Sequence, residues 1–220
     1  MKLKIIIEPS ELKIVGGTKA QMTPYQISLQ FFEPTKGFFF FIPAKNWTHV
    51  CGGAIINEYY IVTAAHCVQD MTPEKLSVLA GITNLKEENK VTRHMVQHCL
   101  VHPDYVKLNN SDIAVCRMQT PFKFSNTIAP ITLDKTEFGN GENCTLSGWG
   151  YTFSIRGTPS PDDLQVGNFT TISNEECIKN GIEVGPKELC TAAAFLKGAC
   201  GVRIFIILKE LSSQLNKFAG

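Results

Sequence analysis

The chain has 220 residues, of which 44% are hydrophobic, and its 21 basic and 20 acidic side chains leave a formal net charge of +1. This length supports one large domain or two small ones with a substantial apolar core. Because the charge is nearly balanced, it does not favour nucleic acid or an anionic membrane as a partner. No apolar run approaches the ~18 residues of a membrane span, so we expect a soluble protein.

The N-terminal segment and the cysteines bear on the compartment. Eight cysteines and four Asn-x-Ser/Thr sequons, at Asn46, Asn109, Asn143 and Asn168, favour an oxidising secretory compartment. The first residues, MKLKIIIEPSELK, contain only a short apolar run interrupted by lysine, well below the ~7–15 residues of a signal-peptide core. We therefore interpret residues 1–13 as the remnant of a leader or propeptide.

Short apolar or alternating segments, separated by Gly, Pro, Asn and Asp, dominate the middle of the chain. This pattern is typical of an all-β barrel or sandwich. The predicted strands are Tyr25–Phe32, Gly53–Asn57, Tyr60–Ala65, Leu76–Ala80, Thr92–Leu100, Ile113–Met118, Cys144–Gly148 and Gln165–Ser173.

One short helix is predicted at Asn174–Asn180, because Ser173 or Asn174 can cap it and two glutamates fall in its first turn. A seam between two parts of the chain is predicted at Pro121–Pro130.

Two residues carry the candidate chemistry. The segment CGGAIINEYYIVTAAHC, Cys51 to Cys67, has a cysteine at each end and His66 beside the second one. A disulfide there would hold the imidazole rigidly, as a general base requires. Asp112, in NNSDIAV, stands at the start of an apolar strand. A carboxylate so placed can be buried against the second imidazole nitrogen, which fixes the tautomer and stabilises the imidazolium.

Five motifs in a fixed order extend this pattern. They are Ile14-Val15-Gly16-Gly17, Thr63-Ala64-Ala65-His66-Cys67, Asp112-Ile113-Ala114-Val115, Gly148-Trp149-Gly150, and Cys177 with Cys190. Together they resemble the chymotrypsin and trypsin family of serine endopeptidases over about Ile14 to Cys200.

The resemblance implies a fold of two antiparallel β-barrels, the first at about residues 14–122 and a partial second one at about 130–200, with the active site between them. It implies His66 as general base, Asp112 as its orienting acid, and disulfides Cys51–Cys67 and Cys177–Cys190. It also implies secretion, protein or peptide substrates, and no cofactor; we expect a monomer. Cleavage after Lys13 by an activating protease would free Ile14 as the amino terminus of an activated zymogen.

The chain departs from the family after Cys200. The family continues there with Gly-Asp-Ser-Gly-Gly-Pro, whereas this chain continues with Gly201-Val202-Arg203-Ile204. The nucleophilic serine and the oxyanion-hole donors are therefore missing from that place. Ser212 and Ser213 lack flanking glycines and a strand-to-turn context, so we do not expect either of them to replace the nucleophile. We expect an incomplete second barrel, a non-family tail at residues 201–220 and an inactive chain, with a non-catalytic binding homologue as the alternative.

The specificity pocket departs as well. Trypsin-like members carry an aspartate two residues before the cysteine that matches Cys200, and Gly198 stands there in this chain. The resemblance then implies a chymotrypsin- or elastase-like preference for apolar side chains.

The remaining cysteines and histidines leave alternatives open. Cys99 and Cys116 lie on strands that are predicted to be antiparallel neighbours. They form either a disulfide bridge or two buried free thiols. Cys144 and Cys200 match family positions whose partners the family carries in the segment missing here. The spacing H-x3-H-C-x2-H, at His94, His98, Cys99 and His102, superficially resembles a metal-ligand pattern. With no second motif, we predict ordinary surface histidines, a structural His49, and no metal.

Overall fold

A computed structural model describes residues 17–33, 47–106, 111–133, 139–150, 161–181, 188–193 and 202–205. Within these ranges the chain consists mainly of strands and turns, with an α-helix, α1, at Asn174–Lys179. The strands are β1 (Thr18–Lys19), β2 (Gln26–Phe32), β3 (Trp47–Ile55), β4 (Tyr60–Thr63), β5 (Leu76–Ala80), β6 (Arg93–Val101), β7 (Ala114–Met118), β8 (Asn143–Gly148), β9 (Gln165–Ile172), β10 (Glu188–Ala193) and β11 (Val202–Phe205). Short 3₁₀ helices lie at Ala65–Cys67, Pro73–Lys75 and Leu85–Lys90. The prediction of an all-β chain is confirmed.

Six strands close into an antiparallel barrel in the order β2-β3-β4-β7-β6-β5, and β5 returns to pair with β2. Closure pairs the backbone groups of each strand with a neighbour on both sides, so the barrel has no open edge. The inward side chains form one apolar cluster, whose fully buried members include Ile27, Leu29, Ile55, Ile61, Leu76 and Met118. Burying each of these side chains contributes about 1.5–3 kcal/mol to folding.

Strands β2, β3 and β4 approach one another closely at Gly53. A Cβ atom at this position would lie 2.6 Å from the carbonyl oxygen of Val62 and 2.9 Å from Cδ1 of Ile27. A larger residue would therefore have to displace the backbone of a neighbouring strand. Val62 belongs to β4, so this glycine controls the position of the strand that leads to His66.

β9 is the central strand of the second sheet. The described strands follow the order β1-β9-β10-β11, β8 also pairs with β9, and all the pairs are antiparallel. β11 pairs with β10 from Glu188 opposite Phe205 to Thr191 opposite Val202. The sequence after Cys200 therefore adds a strand to this sheet, although its residues do not match the family pattern.

Helix α1 follows β9 directly. The hydroxyl oxygen of Ser173 accepts a hydrogen bond from the backbone N–H of Glu176 at 3.2 Å, so the predicted cap is confirmed. Just beyond the helix, Gly181 has a φ of 78°, a left-handed conformation that glycine adopts at low cost. The helix is tied to β10 by the disulfide Cys177–Cys190.

The barrel and the second sheet meet in a small apolar cluster and a polar network. The buried members of the cluster are Ala20, Leu79, Ile82, Trp149 and Leu164. Beside it, Ser147 donates a hydrogen bond of 2.7 Å to Oε1 of Gln26. The amide of Gln26 in turn donates to the carbonyl oxygen of Gly53 at 3.3 Å. Contacts between residues that are far apart in sequence thus hold the barrel and the second sheet together.

The observed strands differ from the predicted ones at several ends. β3 begins at Trp47 rather than Gly53. The strand predicted to reach Ala65 ends at Thr63, because Ala65–Cys67 turns into a 3₁₀ helix. β1, β10 and β11 were not predicted, since β1 spans only Thr18–Lys19 and a strand is stabilised by its neighbours more than by its own residues.

Candidate active site

His66 and Asp112 meet where two neighbouring strands of the barrel end. β4 and β7 are antiparallel, with Thr63 opposite Ala114. The 3₁₀ helix Ala65–Cys67 follows β4, and Asp112 precedes β7. In an antiparallel pair, the residues that follow the end of one strand and those that precede the start of its partner lie at the same end of the sheet. The fold therefore brings together two residues that are 46 positions apart in sequence.

The carboxylate of Asp112 holds His66 at two points. Oδ2 accepts a hydrogen bond from Nδ1 of His66 at 2.5 Å, and Oδ1 accepts one from its backbone N–H at 2.8 Å. The Asp112 side chain is only 6% exposed, whereas that of His66 is 21% exposed. A buried carboxylate that accepts from Nδ1 keeps the proton on that nitrogen and leaves Nε2 as the basic atom.

The disulfide Cys51–Cys67 supports the imidazole from the other side. It joins β3 to the 3₁₀ helix that contains His66, with 6.3 Å between the two Cα atoms. Nε2 of His66 lies 3.3 Å from Sγ of Cys67 and 4.0 Å from Sγ of Cys51. These three side chains have metal-ligand chemistry and spacing, but a metal binds thiolates, and both sulfurs are used in the disulfide. In the oxidised protein the two disulfide sulfurs therefore contact the imidazole ring and restrict its position.

Two buried hydroxyl groups close to Asp112 were missed by the sequence reasoning. Ser111 has a φ of 52°, and the hydroxyls of Ser111 and Tyr105 have no hydrogen-bond partner among the residues that the structure describes. Burial raises the pKa of Tyr105, and the negative charges of Asp112 and Asp70 raise it further. The phenol is therefore neutral at physiological pH. Only the adjacency of Ser111 to Asp112 and the motif HPDY pointed to these positions.

Several predicted site residues lie outside the described residues. They are Lys13 and Ile14 of the predicted cleavage site, Gly198 of the predicted specificity pocket, Cys200, and the serines Ser212 and Ser213. Their predicted roles stay predictions.

Two cysteine questions that the sequence left open can be addressed. Cys99 and Cys116 are directly opposite each other on β6 and β7 and form a disulfide, with 4.0 Å between their Cα atoms. The alternative of two buried thiols is wrong. Cys144 lies on β8 opposite Phe169 of β9; it is buried, and its thiol donates to the carbonyl oxygen of Phe169 at 3.5 Å.

The prediction of surface histidines is wrong for His94 and His102. They are only 6% and 7% exposed, because barrel closure and the turn after β6 cover positions that a single strand would expose. The ring of His94 packs against Phe122 with 4.5 Å between the centroids. Burial lowers the pKa of His94, opposed by its hydrogen bond to Thr120. Nδ1 of His102 accepts from the backbone N–H of Asp104 at 3.1 Å.

His49 is the most strongly perturbed histidine with a resolved pKa shift. Its Nδ1 lies 2.8 Å from the hydroxyl oxygen of Ser28, and its ring meets Trp149 edge-on with 5.4 Å between the centroids. Burial lowers the pKa of His49 to about 4. The ring is therefore neutral at physiological pH and joins the barrel to the second half of the chain.

A closed antiparallel barrel, a second β-sheet packed against it and a histidine held by a buried aspartate at the strand ends are the features of a serine-protease-like protein of the two-barrel class. The match to the Trypsin family extends over residues 14–201. The chain belongs to this family.

Individual relatives agree with the family assignment. The chain is 33% identical to serine proteinase stubble of Drosophila melanogaster over 185 residues, which cover 81% of this chain but 22% of that protein. It is 32% identical to trypsin delta and to trypsin gamma of Drosophila erecta over 195 residues, 86% of this chain and 70% of each trypsin.

A solved structure supports the fold. Neuropsin, a serine protease expressed in the limbic system of mouse brain, superposes with a TM-score of 0.73 over 94% of this chain and 100% of its own, at 18% identity. The fold is therefore that of the two-barrel chymotrypsin type. Among the described residues, no helix has the length and apolar character needed to cross a membrane.

Proposed function

We propose that His66 and Asp112 form the general-base half of a serine endopeptidase site, and that this chain does not itself cleave peptides by the family mechanism. One observation carries the first part: a single buried carboxylate accepts hydrogen bonds from both the ring Nδ1 and the backbone N–H of His66. In such a site Nε2 takes the proton of an attacking hydroxyl, while the carboxylate stabilises the imidazolium that results.

The second part concerns the nucleophile. Acyl transfer needs a hydroxyl oxygen next to Nε2, which forms the ester bond to the substrate carbonyl carbon. Where the family carries that serine, this chain has Cys200-Gly201-Val202-Arg203. Among the described residues the hydrogen-bond neighbours of Nε2 are the sulfurs of Cys51 and Cys67, and no serine hydroxyl is among them. Without the hydroxyl the base has no proton to accept, so no acyl-enzyme forms.

The processing and preference of the chain follow from the same assignment. The family match begins at residue 14, which favours activation cleavage between Lys13 and Ile14 by a second protease, in a secreted zymogen. Gly198 in place of an aspartate removes a negative charge from the specificity pocket, so apolar side chains of a protein substrate fit it best. The domain assignment follows, with a first barrel at about 14–122, a partial second barrel at about 130–200 and a non-family tail at 201–220.

A second candidate is a homologue that binds substrates or partners without cleaving them. It is favoured by the closed first barrel and by the intact His66–Asp112 pair. These features preserve the side of the active-site cleft that the first barrel forms in the family. In this function the chain would bind an apolar peptide saturably and release it unchanged.

The test uses the purified 220-residue chain beside an active chymotrypsin as positive control. We expect neither labelling by a fluorophosphonate probe nor hydrolysis of a chromogenic peptide with an apolar residue before the scissile bond. The matched control is His66→Ala, which should behave like the wild type in both assays. Probe labelling of the wild type that His66→Ala abolishes would overturn the proposed inactivity. Saturable binding of the uncleaved peptide would favour the second candidate.

A further inference from the structure

The outer face of the β8–β9 pair carries two Asn-x-Thr sequons side by side. Asn143 and Thr145 lie on β8, opposite Thr170 and Asn168 of β9 respectively. All four residues therefore lie on one face of the pair, because alternate residues of a strand share a face. The opposite face is buried, with Cys144, Leu146, Phe169 and Thr171 among its residues. The four-residue face, which we call the sequon face, is the solvent side of the sheet.

Each sequon is hydrogen-bonded to the other. The hydroxyl of Thr145 donates to Oδ1 of Asn168 at 3.2 Å, and the hydroxyl of Thr170 donates to Oδ1 of Asn143 at 3.4 Å. Both asparagines are exposed and both threonines are partly exposed. Neither hydrogen bond uses an asparagine amide nitrogen. The atom that N-glycosylation modifies is therefore not used in this ladder.

We propose that Asn143 and Asn168 are acceptors for N-linked oligosaccharides, which makes the sequon face a glycan-covered surface. The proposal requires passage through the secretory pathway, where N-x-Ser/Thr acceptors are used; the disulfides Cys51–Cys67, Cys99–Cys116 and Cys177–Cys190 fit that compartment. It does not require the chain to be an active or inactive protease.

The transfer needs a lipid-pyrophosphate-linked oligosaccharide as the donor. The amide nitrogen forms a bond to the anomeric carbon of the first N-acetylglucosamine. The bond from that carbon to the pyrophosphate oxygen breaks, the lipid pyrophosphate leaves, and the amide gives up one proton. No residue is oxidised or reduced.

The fold accommodates the product. A glycan on an exposed asparagine extends from the outer face, so it displaces none of the buried side chains beneath. The carbonyl oxygen of each modified asparagine can still accept from the threonine opposite. A glycan here also excludes a partner protein from the sequon face.

The same contacts have a simpler reading, in which the face is only a polar ladder that helps β8 and β9 to pair. Cross-strand pairs of this kind contribute roughly 0.2–1 kcal/mol each. If this interpretation is right, the two asparagines stay unmodified in protein that has been exposed to the transferase. One experiment therefore distinguishes the two interpretations.

The experiment fuses the full chain to a cleavable secretion signal and translates it with endoplasmic-reticulum microsomes. An amidase that cleaves the glycan from asparagine in heavy-oxygen water marks each occupied site as a labelled aspartate, which peptide mass spectrometry locates. We expect labels at positions 143 and 168. Asn143→Gln and Asn168→Gln should each remove one label, and the double variant both.

Thr145 offers a matched pair of controls. Thr145→Ser preserves the sequon and should keep the label at Asn143, whereas Thr145→Ala should abolish it. Removal of the fused secretion signal reports in the same sample that the chain entered the microsome lumen, where the transferase acts. A map in which both sequon-face asparagines are bare overturns the proposal. Label at only one of them overturns the assignment of the other.

Discussion

Asp112 binds one residue, His66, through both of its carboxylate oxygens, at 2.8 Å to the backbone N–H and at 2.5 Å to the ring Nδ1. The backbone contact fixes where the 3₁₀ turn lies, and the ring contact fixes how the imidazole is oriented within it. A substitution at Asp112 therefore disturbs both the fold of the turn and the chemistry of the ring.

Asp112→Asn should weaken both contacts while keeping the shape of the side chain. An amide cannot offer two charged acceptor oxygens, so we expect the folded state to lose about 1–3 kcal/mol of stability. We also expect the low-field proton resonance of the His66 Nδ1–H group to disappear or move upfield, because the ring no longer donates to a carboxylate. Urea unfolding and proton NMR measure the two effects.

Asp70→Asn is the control, since Asp70 is exposed and accepts only a surface hydrogen bond from Gln69 among the contacts described. It should leave both measurements unchanged. An Asp112→Asn protein with the wild-type resonance would show that the carboxylate does not hold the ring.

Gly53→Ala should destabilise the barrel, because its methyl group would meet the backbone carbonyl of Val62 at 2.6 Å. Overpacking against backbone costs about 1–3 kcal/mol. The matched control is Gly52→Ala, whose nearest neighbour is the flexible amide end of Gln26 at 3.3 Å. We expect a clearly lower urea midpoint for Gly53→Ala alone, and equal midpoints for the two variants would contradict this account.

The two disulfides of the barrel should contribute equally to stability but differently to the site. They close chain segments of similar length, with sequence separations of 16 for Cys51–Cys67 and 17 for Cys99–Cys116. Replacing either pair with alanines should therefore cost about 2–4 kcal/mol. Only the Cys51/Cys67 replacement should shift the His66 ring resonances, because only that bridge contacts the imidazole. A shift of equal size in the Cys99/Cys116 variant would refute the proposed bracing.

His49 should make the protein sensitive to mild acid. Its pKa is about 4 in the folded state against 6.5 when exposed, so the unfolded chain binds a proton more readily. Above pH ~6.5 His49 is neutral in both states and costs the folded state no stability. As the pH falls toward ~4 the unfolded chain takes up a proton that the folded chain does not, so the free energy of unfolding falls. Burial of His94 adds to the loss in the same direction.

His49→Asn removes the titrating group and keeps a polar side chain beside Ser28. We expect its loss of unfolding free energy between neutral pH and pH ~4.5 to be about 1–3 kcal/mol smaller than that of the wild type. The comparison is made within each protein, so any fixed cost of the substitution cancels. An unchanged pH dependence would mean that folding does not lower the pKa of His49.

Local patterns predicted much of this molecule. Leu76–Ala80 was predicted as a strand with its observed bounds, and Ser173 was one of the two predicted helix caps, because alternation and capping depend on near neighbours in the chain. His66 and Asp112 were identified from their motifs, and the fold places them in contact.

The tertiary structure alone decided the rest, because those features depend on which distant segments become neighbours. Closure of the barrel placed Cys99 opposite Cys116 and buried His94, neither of which a single strand can specify. Pairing across the second sheet made a strand of Val202–Phe205 and brought the sequons of Asn143 and Asn168 onto one face. A strand's alternation says which of its faces is apolar, but its partner and register are selected by the whole sheet.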